Sequence, residues 1–218
     1  MMKRRLDRPT KVARLAGVDI FIHWSVLAMV PIAWFLVEDW AQAVTGAATL
    51  VGLILVHEAG HAYFARKRNL EVLGLVVYPF IGFCTHEASE FEEDHIFVAW
   101  GGVAAQAVVL VIAAAVAWIL SSLSITAPPY VYPIFLVLIT LNIGLIIMNL
   151  WPAEPLDGAT AWKILRVWRD KVLDRRTRPA PPTSREEPQN VVDLAIRRAQ
   201  RGSERRKQAN QDTGRDGR

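Results

Sequence analysis

Lysine and arginine are confined to three parts of this 218-residue chain: positions 3–14, positions 66–68, and position 163 onward. The two blocks between them, residues 15–65 and 69–162, contain no lysine or arginine and consist largely of Leu, Ile, Val, Ala, Phe and Trp. Long apolar blocks without cations are typical of segments that cross a lipid bilayer. This distribution excludes a single soluble globule and an intrinsically disordered chain.

The same distribution accounts for the high isoelectric point, which is near 9.5. The basic residues flank apolar segments and do not interleave with surface aromatic residues, so we expect no nucleic-acid partner. The single cysteine, Cys84, excludes a disulfide framework.

Four apolar stretches reach or approach the ~20 residues that a helix needs to cross the hydrocarbon core of a bilayer. They are residues 20–37, 41–64, 97–123 and 131–150. Between the second and third stretch, residues 72–78 and 80–84 are rich in β-branched and aromatic side chains, which predicts short strands. An irregular interfacial loop is the alternative there. The sequence therefore predicts an all-α membrane fold with about four transmembrane helices and a small membrane-associated β segment.

The basic clusters also predict the topology, because lysine and arginine favour the cytoplasmic side of a membrane. Four crossings put all three clusters on that side, with both termini cytoplasmic. We divide the chain into a basic N-terminus, a membrane core, an amphipathic helix on the inner leaflet, and a basic, proline-containing, largely disordered tail. These parts comprise residues 1–17, 18–158, 159–176 and 177–218.

Two histidines and a glutamate interrupt the second apolar stretch, where His57, Glu58 and His61 form the pattern H-E-x-x-H. The spacing of four puts both imidazoles on one helix face, one turn apart, where they can bind one zinc ion. Glu58 lies beside them as a proton acceptor. The pattern also occurs by chance in proteins without a metal. However, a carboxylate near the bilayer centre costs roughly 2.5–3.5 kcal/mol, which a divalent cation would offset.

A zinc hydrolase needs a third protein ligand and an open position for water. Pro152 and Pro155 end the fourth apolar stretch, and Glu154 and Asp157 are the carboxylates of this turn. Gly158 permits a tight backbone turn next to Asp157, which favours Asp157 over Glu154.

The remaining histidines are interpreted as structural. His23 is expected to be a polar anchor or packing partner that could also hydrogen-bond within the site. His86 and His95 flank an acidic run that is interpreted as a solvated linker. The alternative is that these two histidines bind a second ion.

A second pattern, N-x-x-P-x-x-x-L-D-G, runs from Asn149 to Gly158, about 90 residues after H-E-x-x-H. Together the two patterns resemble those of the site-2 protease family of intramembrane zinc metalloproteases. The resemblance covers residues 15–165. It implies that Asp157 is the third zinc ligand beside His57 and His61, and that Glu58 is the catalytic base.

The resemblance also implies where a substrate lies. Asn149 would orient the substrate or its oxyanion, and the strands around Tyr78 and Gly82 would pair with an extended substrate segment. Gln106 stands where many relatives carry the asparagine of a G-P-x-x-N pattern, so this chain retains an amide at that position.

The predicted function is that of an intramembrane zinc endopeptidase in a bacterial or archaeal cell membrane. Its substrate would be a membrane-spanning protein cut near the cytoplasmic face, such as the transcription-factor precursors or anti-sigma factors that the family suggests. We expect no PDZ or cystathionine-synthase-type domain, so regulation by such a module would require a separate protein. The alternatives are a catalytically inactive metal-binding scaffold or chaperone, and a metal transporter with polar residues on several helices.

Overall fold

The computed structural model describes residues 8–177. The elements follow in the order β1 (Thr10–Leu15), β2 (Val18–Ile22), α1 (Trp24–Val37), α2 (Trp40–Lys67), β3 (Val72–Tyr78), β4 (Ile81–His86), α3 (Glu92–Ser122), α4 (Pro129–Asn149), α5 (Gly158–Ala161) and α6 (Lys163–Thr177). Within these residues, the predicted fold class is confirmed: the chain is mostly helical and carries one small sheet.

Three helices are long and apolar enough to cross a membrane, namely α2, α3 and α4. They contain 28, 31 and 21 residues, which at 1.5 Å per residue gives lengths of about 42, 46 and 31 Å. The hydrocarbon core is ~30 Å thick, so each helix can span it. The second predicted span falls within α2, and the third and fourth extend one residue beyond the ends of α3 and α4.

The prediction for the first span is wrong at its start. Residues 20–22 belong to β2, and the helix that follows, α1, is too short to rank with the three long helices. The reason is that β2 pairs in parallel with β3, so that Ile20 lies opposite Leu75 and Ile22 opposite Val77. Apolar β-branched residues suit a buried strand as well as a membrane helix, and composition alone does not separate the two.

The sheet has four strands in the order β1-β2-β3-β4. β1 and β2 form an antiparallel hairpin, and so do β3 and β4. The predicted strand at residues 72–78 is confirmed as β3, and the one predicted at residues 80–84 is found as β4 at Ile81–His86, which excludes an irregular loop. β1 was not predicted: its two cations, Lys11 and Arg14, reach Asp19 of β2 at 2.7 and 3.4 Å, and a bulge between Lys11 and Ala13 breaks its alternation.

The sheet packs along the final turns of α2. A buried apolar cluster joins β2 and β3 to α2 and α3, and it comprises Val18, Ala62, Ala65, Val72, Leu75 and Val98. At one end of the sheet, the Arg66 guanidinium donates to the Ala16 carbonyl at 2.7 Å. At the other end, Gly82 contacts Glu58. The sheet therefore runs beside the H-E-x-x-H segment, with β4 as the edge strand that contacts it.

Two glycines bring the backbones of α2 and α3 into contact. A Cβ atom on Gly101 would lie 2.6 Å from the Gly60 carbonyl oxygen, and one on Gly60 would lie 2.8 Å from the Ala105 Cβ. Small residues allow this close approach in membrane helices, where packing rather than the hydrophobic effect drives association.

We expect Gly101→Ala to destabilise the fold by about 1–3 kcal/mol, because the added methyl group overpacks the contact between α2 and α3. Thermal unfolding of the detergent-purified protein measures the effect. The matched control is Gly144→Ala in α4, where an added Cβ would meet nothing within 4 Å. Equal melting temperatures for the two variants would contradict the packing argument.

Beyond α4, the chain turns back as α5 and α6. Two ion pairs join α6 to the N-terminus of α3, between Arg166 and Glu92 and, at 2.8 Å, between Lys171 and Glu93. The predicted amphipathic segment is thus helical, and its contact with the inner leaflet stays a prediction. Residues 1–7 and 178–218, with most of the predicted tail, lie outside the described residues.

Candidate metal centre

The two histidines of H-E-x-x-H lie one turn apart on α2 and face the same space. Their Nε2 atoms are 3.0 Å apart, and both side chains are buried. Asp157 brings a third ligand atom to this space: its Oδ2 lies 3.0 Å from His57 Nε2 and 3.2 Å from His61 Nε2. Within residues 8–177, these three side chains are the one group of at least three His, Cys, Asp or Glu residues suited to hold a metal ion.

The turn after α4 places Asp157 in this group and leaves Glu154 exposed to solvent. Gly158 packs directly on the backbone of Leu150, at the end of α4, where a Cβ atom would not fit. The indole N–H of Trp162 donates to the Leu150 carbonyl at 2.6 Å, which closes the turn from the other side. Of the two carboxylates that the sequence left as candidates, only Asp157 reaches the histidines.

The hydrogen bonds behind the histidines fix which ring nitrogens face the shared space. His61 Nδ1 lies 2.8 Å from the Val98 carbonyl, which can only accept, so this nitrogen donates. His57 Nδ1 lies 3.0 Å from Gln106 Oε1 and donates in the same way. In a neutral imidazole, the Nε2 atom then carries a lone pair.

The donor set therefore fits a bound cation. Two imidazole lone pairs and one carboxylate oxygen face one another at 3.0–3.2 Å, an arrangement that is repulsive unless a positive charge lies among them. Tetrahedral zinc with ligands at 2.0–2.1 Å would place neighbouring ligand atoms ~3.3 Å apart. A histidine–histidine–carboxylate set with Nδ1–H groups bound to carbonyl oxygens is typical of catalytic zinc sites.

Gly102 of α3 lies directly against the two Nε2 atoms and borders this space. A Cβ atom at this position would lie 2.5 Å from His61 Nε2 and 2.6 Å from His57 Nε2. No residue larger than glycine fits there without moving the histidines. Sequence reasoning missed this role, although the Gly101-Gly102 pair within an apolar helix was a signal of close backbone approach.

Glu58 is buried next to the three ligand atoms without being one of them. A Cβ atom on Gly82 of β4 would lie 2.7 Å from the Glu58 carboxyl carbon, so the strand packs directly on this side chain. The backbone N–H of Cys84 hydrogen-bonds to the carboxylate. This arrangement leaves Glu58 able to exchange a proton with a molecule bound beside the ligand atoms.

Comparison with known proteins gives the following results. No family model matches the sequence. The chain is 28% identical over 162 residues to "Putative zinc metalloprotease Rip3" in two strains of Mycobacterium tuberculosis. The match covers 67% of this chain and 41% of the relative, so the chain spans about two fifths of the length of the curated relatives it matches.

A solved structure extends the likeness to the fold. The site-2 protease from Methanocaldococcus jannaschii superimposes with a TM-score of 0.55 at 19% identity, covering 78% of this chain and 74% of that chain. The chain therefore shares the fold of this site-2 protease. As described above, it carries three apolar helices long enough to span a bilayer.

A cavity of about 810 Å³ opens from the three ligand atoms. Its walls come from α2, α3, α4, the turn that carries Asp157, and the edge strand β4. Of the residues predicted to contact substrate, Asn149, Gln106 and Gly82 line this cavity. Tyr78 is not among its lining residues; its ring stacks on His23 with centroids 5.0 Å apart.

The other histidines of the described part form no second site with three ligands. His86 and His95 line the outer part of the cavity, where each is bound to a nearby backbone carbonyl. His23 Nδ1 lies 2.5 Å from Ser25 Oγ. These contacts give the alternative of a second ion no support.

Their surroundings shift the pKa values of Asp157 and Cys84. Burial alone would raise the pKa of Asp157, but the adjacent His57 and His61 imidazoles outweigh it and hold the pKa of this carboxyl well below its usual range. Asp157 is therefore ionised at neutral pH, as a metal ligand must be. Burial raises the pKa of the Cys84 thiol to about 12, and the nearby Glu58 adds to the effect. Cys84 is thus a neutral packing residue and no thiolate ligand.

Proposed function

We propose that this chain is an intramembrane zinc endopeptidase that cleaves a membrane-spanning protein near the cytoplasmic face of the bilayer. The observation that carries the proposal is the convergence of His57 Nε2, His61 Nε2 and Asp157 Oδ2 within hydrogen-bonding distance of one another, with Glu58 alongside. Apolar residues would serve a purely structural contact between apolar helices better than these polar ones. The set therefore favours a functional role.

Each side chain has a distinct part in the proposed reaction. His57, His61 and Asp157 would hold one zinc ion, which supplies a Lewis acid that polarises the scissile carbonyl and activates water. Glu58 would accept a proton from the attacking water and return it to the leaving amine. Asn149 lies on the cavity wall, where its amide can hold a substrate carbonyl.

The edge strand β4 supports the choice of substrate. A peptide bond within a transmembrane helix is shielded by its own hydrogen bonds, so cleavage requires local unwinding. An unwound segment leaves backbone groups that must be satisfied away from water. β4 is an edge strand of the sheet and lines the cavity, where strand addition can satisfy them. The expected partners are therefore a membrane-spanning protein and the lipid bilayer around it.

The position of the basic residues supports cleavage near the cytoplasmic face. Arg66, Lys67 and Arg68 follow His61 by five to seven residues, which corresponds to ~8–11 Å along a helix. β2 runs from the Arg66 end of the sheet towards the depth of Glu58, and α1 continues from there. Strand and short helix together can make the first crossing, and the cytoplasmic position of both termini stays a prediction from the charge distribution.

The proposal is tested with Glu58→Gln. We expect this variant to retain one zinc ion per chain and to cleave about 10²–10⁴-fold more slowly, because it keeps the metal ligands and loses the proton acceptor. Zinc is measured in the detergent-purified protein, and cleavage is measured on a panel of single-span membrane proteins. Glu71→Gln, at an exposed position outside the cavity, is the matched control.

The same preparation separates the proposal from an inactive metal-binding scaffold. A scaffold would retain zinc in both variants and cleave no substrate in the wild type. Undiminished cleavage by Glu58→Gln would overturn the role of Glu58. Absence of zinc from the wild type would overturn the metal site itself.

A further inference from the structure

Polar side chains are concentrated in one place in the apolar interior. Within residues 8–177, the buried polar or charged residues are His57, Glu58, His61, Gln106 and Asn142. Three of them belong to the H-E-x-x-H motif. The other two, Gln106 of α3 and Asn142 of α4, need a separate explanation, because polar groups inside a membrane protein are costly without a function or a partner.

Gln106 lies directly behind His57. Its side chain is 2% exposed, and its Oε1 accepts the hydrogen bond from His57 Nδ1 at 3.0 Å. The acceptor is thus on the opposite side of the imidazole ring from Nε2, which faces His61 and Asp157. This orientation directs the carbonyl end of the amide at the histidine and not at the open part of the cavity.

Asn142 holds Gln106 from the next helix. Its Nδ2 donates to the Gln106 backbone carbonyl at 3.0 Å and to the Leu138 carbonyl at 3.2 Å, and its side chain is fully buried. It follows a π-helical turn over Leu136–Leu141, in which the Asn142 backbone N–H donates to Val137 and Ile139. Such turns are rare and occur often at functional sites.

We infer that Gln106 is a positioning residue for the zinc ligand His57, and that Asn142 anchors it. The inference rests on the proposed zinc site and gives Gln106 a role behind the ligand, in place of the substrate contact expected from the sequence. The Gln106 Oε1 fixes the tautomer in which Nε2 carries the lone pair, and it holds the ring in the orientation that meets Asp157. Loss of such a supporting hydrogen bond typically weakens metal affinity by about 10–100-fold.

The test compares zinc affinity in full-length variants purified in detergent, measured by competition with a chelator of known affinity. Gln106→Leu removes the acceptor and keeps similar volume, so we expect about 10–100-fold weaker zinc binding. Gln106→Glu keeps an acceptor at the same reach and should stay within a few-fold of the wild type. Asn142→Leu should weaken zinc binding in the same direction by a smaller factor.

The matched control is Gln42→Leu, which makes the same substitution near the far end of α2 and should leave zinc affinity unchanged. Melting temperatures recorded with the zinc removed separate damage to the fold from damage to the site. If Gln106→Leu does not fold, Gln106→Asn replaces it, since the shorter side chain retracts the acceptor and should also weaken zinc binding.

The outcomes are distinct. Zinc affinity equal to that of the wild type in Gln106→Leu, together with a raised KM, would overturn the inference and return Gln106 to a substrate contact. Weaker zinc binding that Gln106→Glu rescues, with KM unchanged at saturating zinc, would support it. A wild type without zinc overturns the proposed function and this inference together, whereas normal zinc binding by all Gln106 variants overturns the inference alone.

Discussion

Replacing Gly102 by alanine is expected to abolish zinc binding and cleavage together. The added methyl group would occupy the space between the two Nε2 atoms, at 2.5–2.6 Å from each. The neighbours on the other side are imidazole rings tied at Nδ1 to Gln106 and Val98, so they cannot move aside without losing those hydrogen bonds. We expect zinc affinity to fall by about 100-fold or more.

The measurement is the number of zinc ions per chain at a fixed free-zinc concentration, together with the rate of substrate cleavage. Gly52→Ala is the matched control, because it adds the same methyl group to α2 at a position with no atom within 4 Å. The melting temperature of the metal-free Gly102→Ala variant, compared with that of the metal-free wild type, separates damage to the metal site from damage to the fold. One zinc ion per chain in Gly102→Ala would contradict the close packing of α3 at Gly102 against the metal ligands.

Replacing Gly82 by alanine should have the opposite signature, with zinc retained and cleavage lost. The methyl group would overlap the Glu58 carboxylate, at 2.7 Å from its carbon, and its three nearest atoms all belong to Glu58 and none to a metal ligand. Displacing a general acid–base group typically costs about 10²–10⁴-fold in rate. In the proposed reaction Glu58 transfers protons and does not bind the substrate, so kcat should fall far more than KM rises.

The control for Gly82→Ala must separate damage to the strand from displacement of Glu58. Gly74→Ala serves this purpose: it adds a methyl group in β3 that meets the Asp19 carbonyl at 3.3 Å and the Phe21 ring at 3.4 Å, so it strains the same sheet. Cleavage should survive in Gly74→Ala. If both variants lose cleavage equally, the effect belongs to the sheet and not to Glu58.

The chemistry of the site was more predictable from the sequence than its surroundings were. Residue spacing alone puts His57 and His61 on one helix face, because helix geometry is local and regular. The third ligand depends on how a turn about 100 residues later folds back, so the residues alone left Glu154 and Asp157 both open. The resemblance to the site-2 proteases favoured Asp157, and the packing of Gly158 on Leu150 shows how the turn brings it there.

The parts that could not be predicted depend on contacts between distant segments. The apolar side chains of residues 20–22 suit a strand and a helix equally well. Only the pairing of these residues with β3 decides between the two. Gly102 and Gln106 likewise acquire their positions beside the histidines from the close packing of α2 on α3. No local pattern encodes the partner of a helix face, so these residues emerge only with the tertiary structure.

The short separation between His61 and the basic cluster at Arg66 has a consequence for the products of the proposed reaction. A bond cut at this depth would leave the cytoplasmic fragment with only a few apolar residues, far short of the ~20 that hold a helix in a bilayer. The other fragment would keep most of the original span and stay embedded. A single hydrolysis would therefore sort its two products between solution and membrane, with no further step needed to release the soluble one.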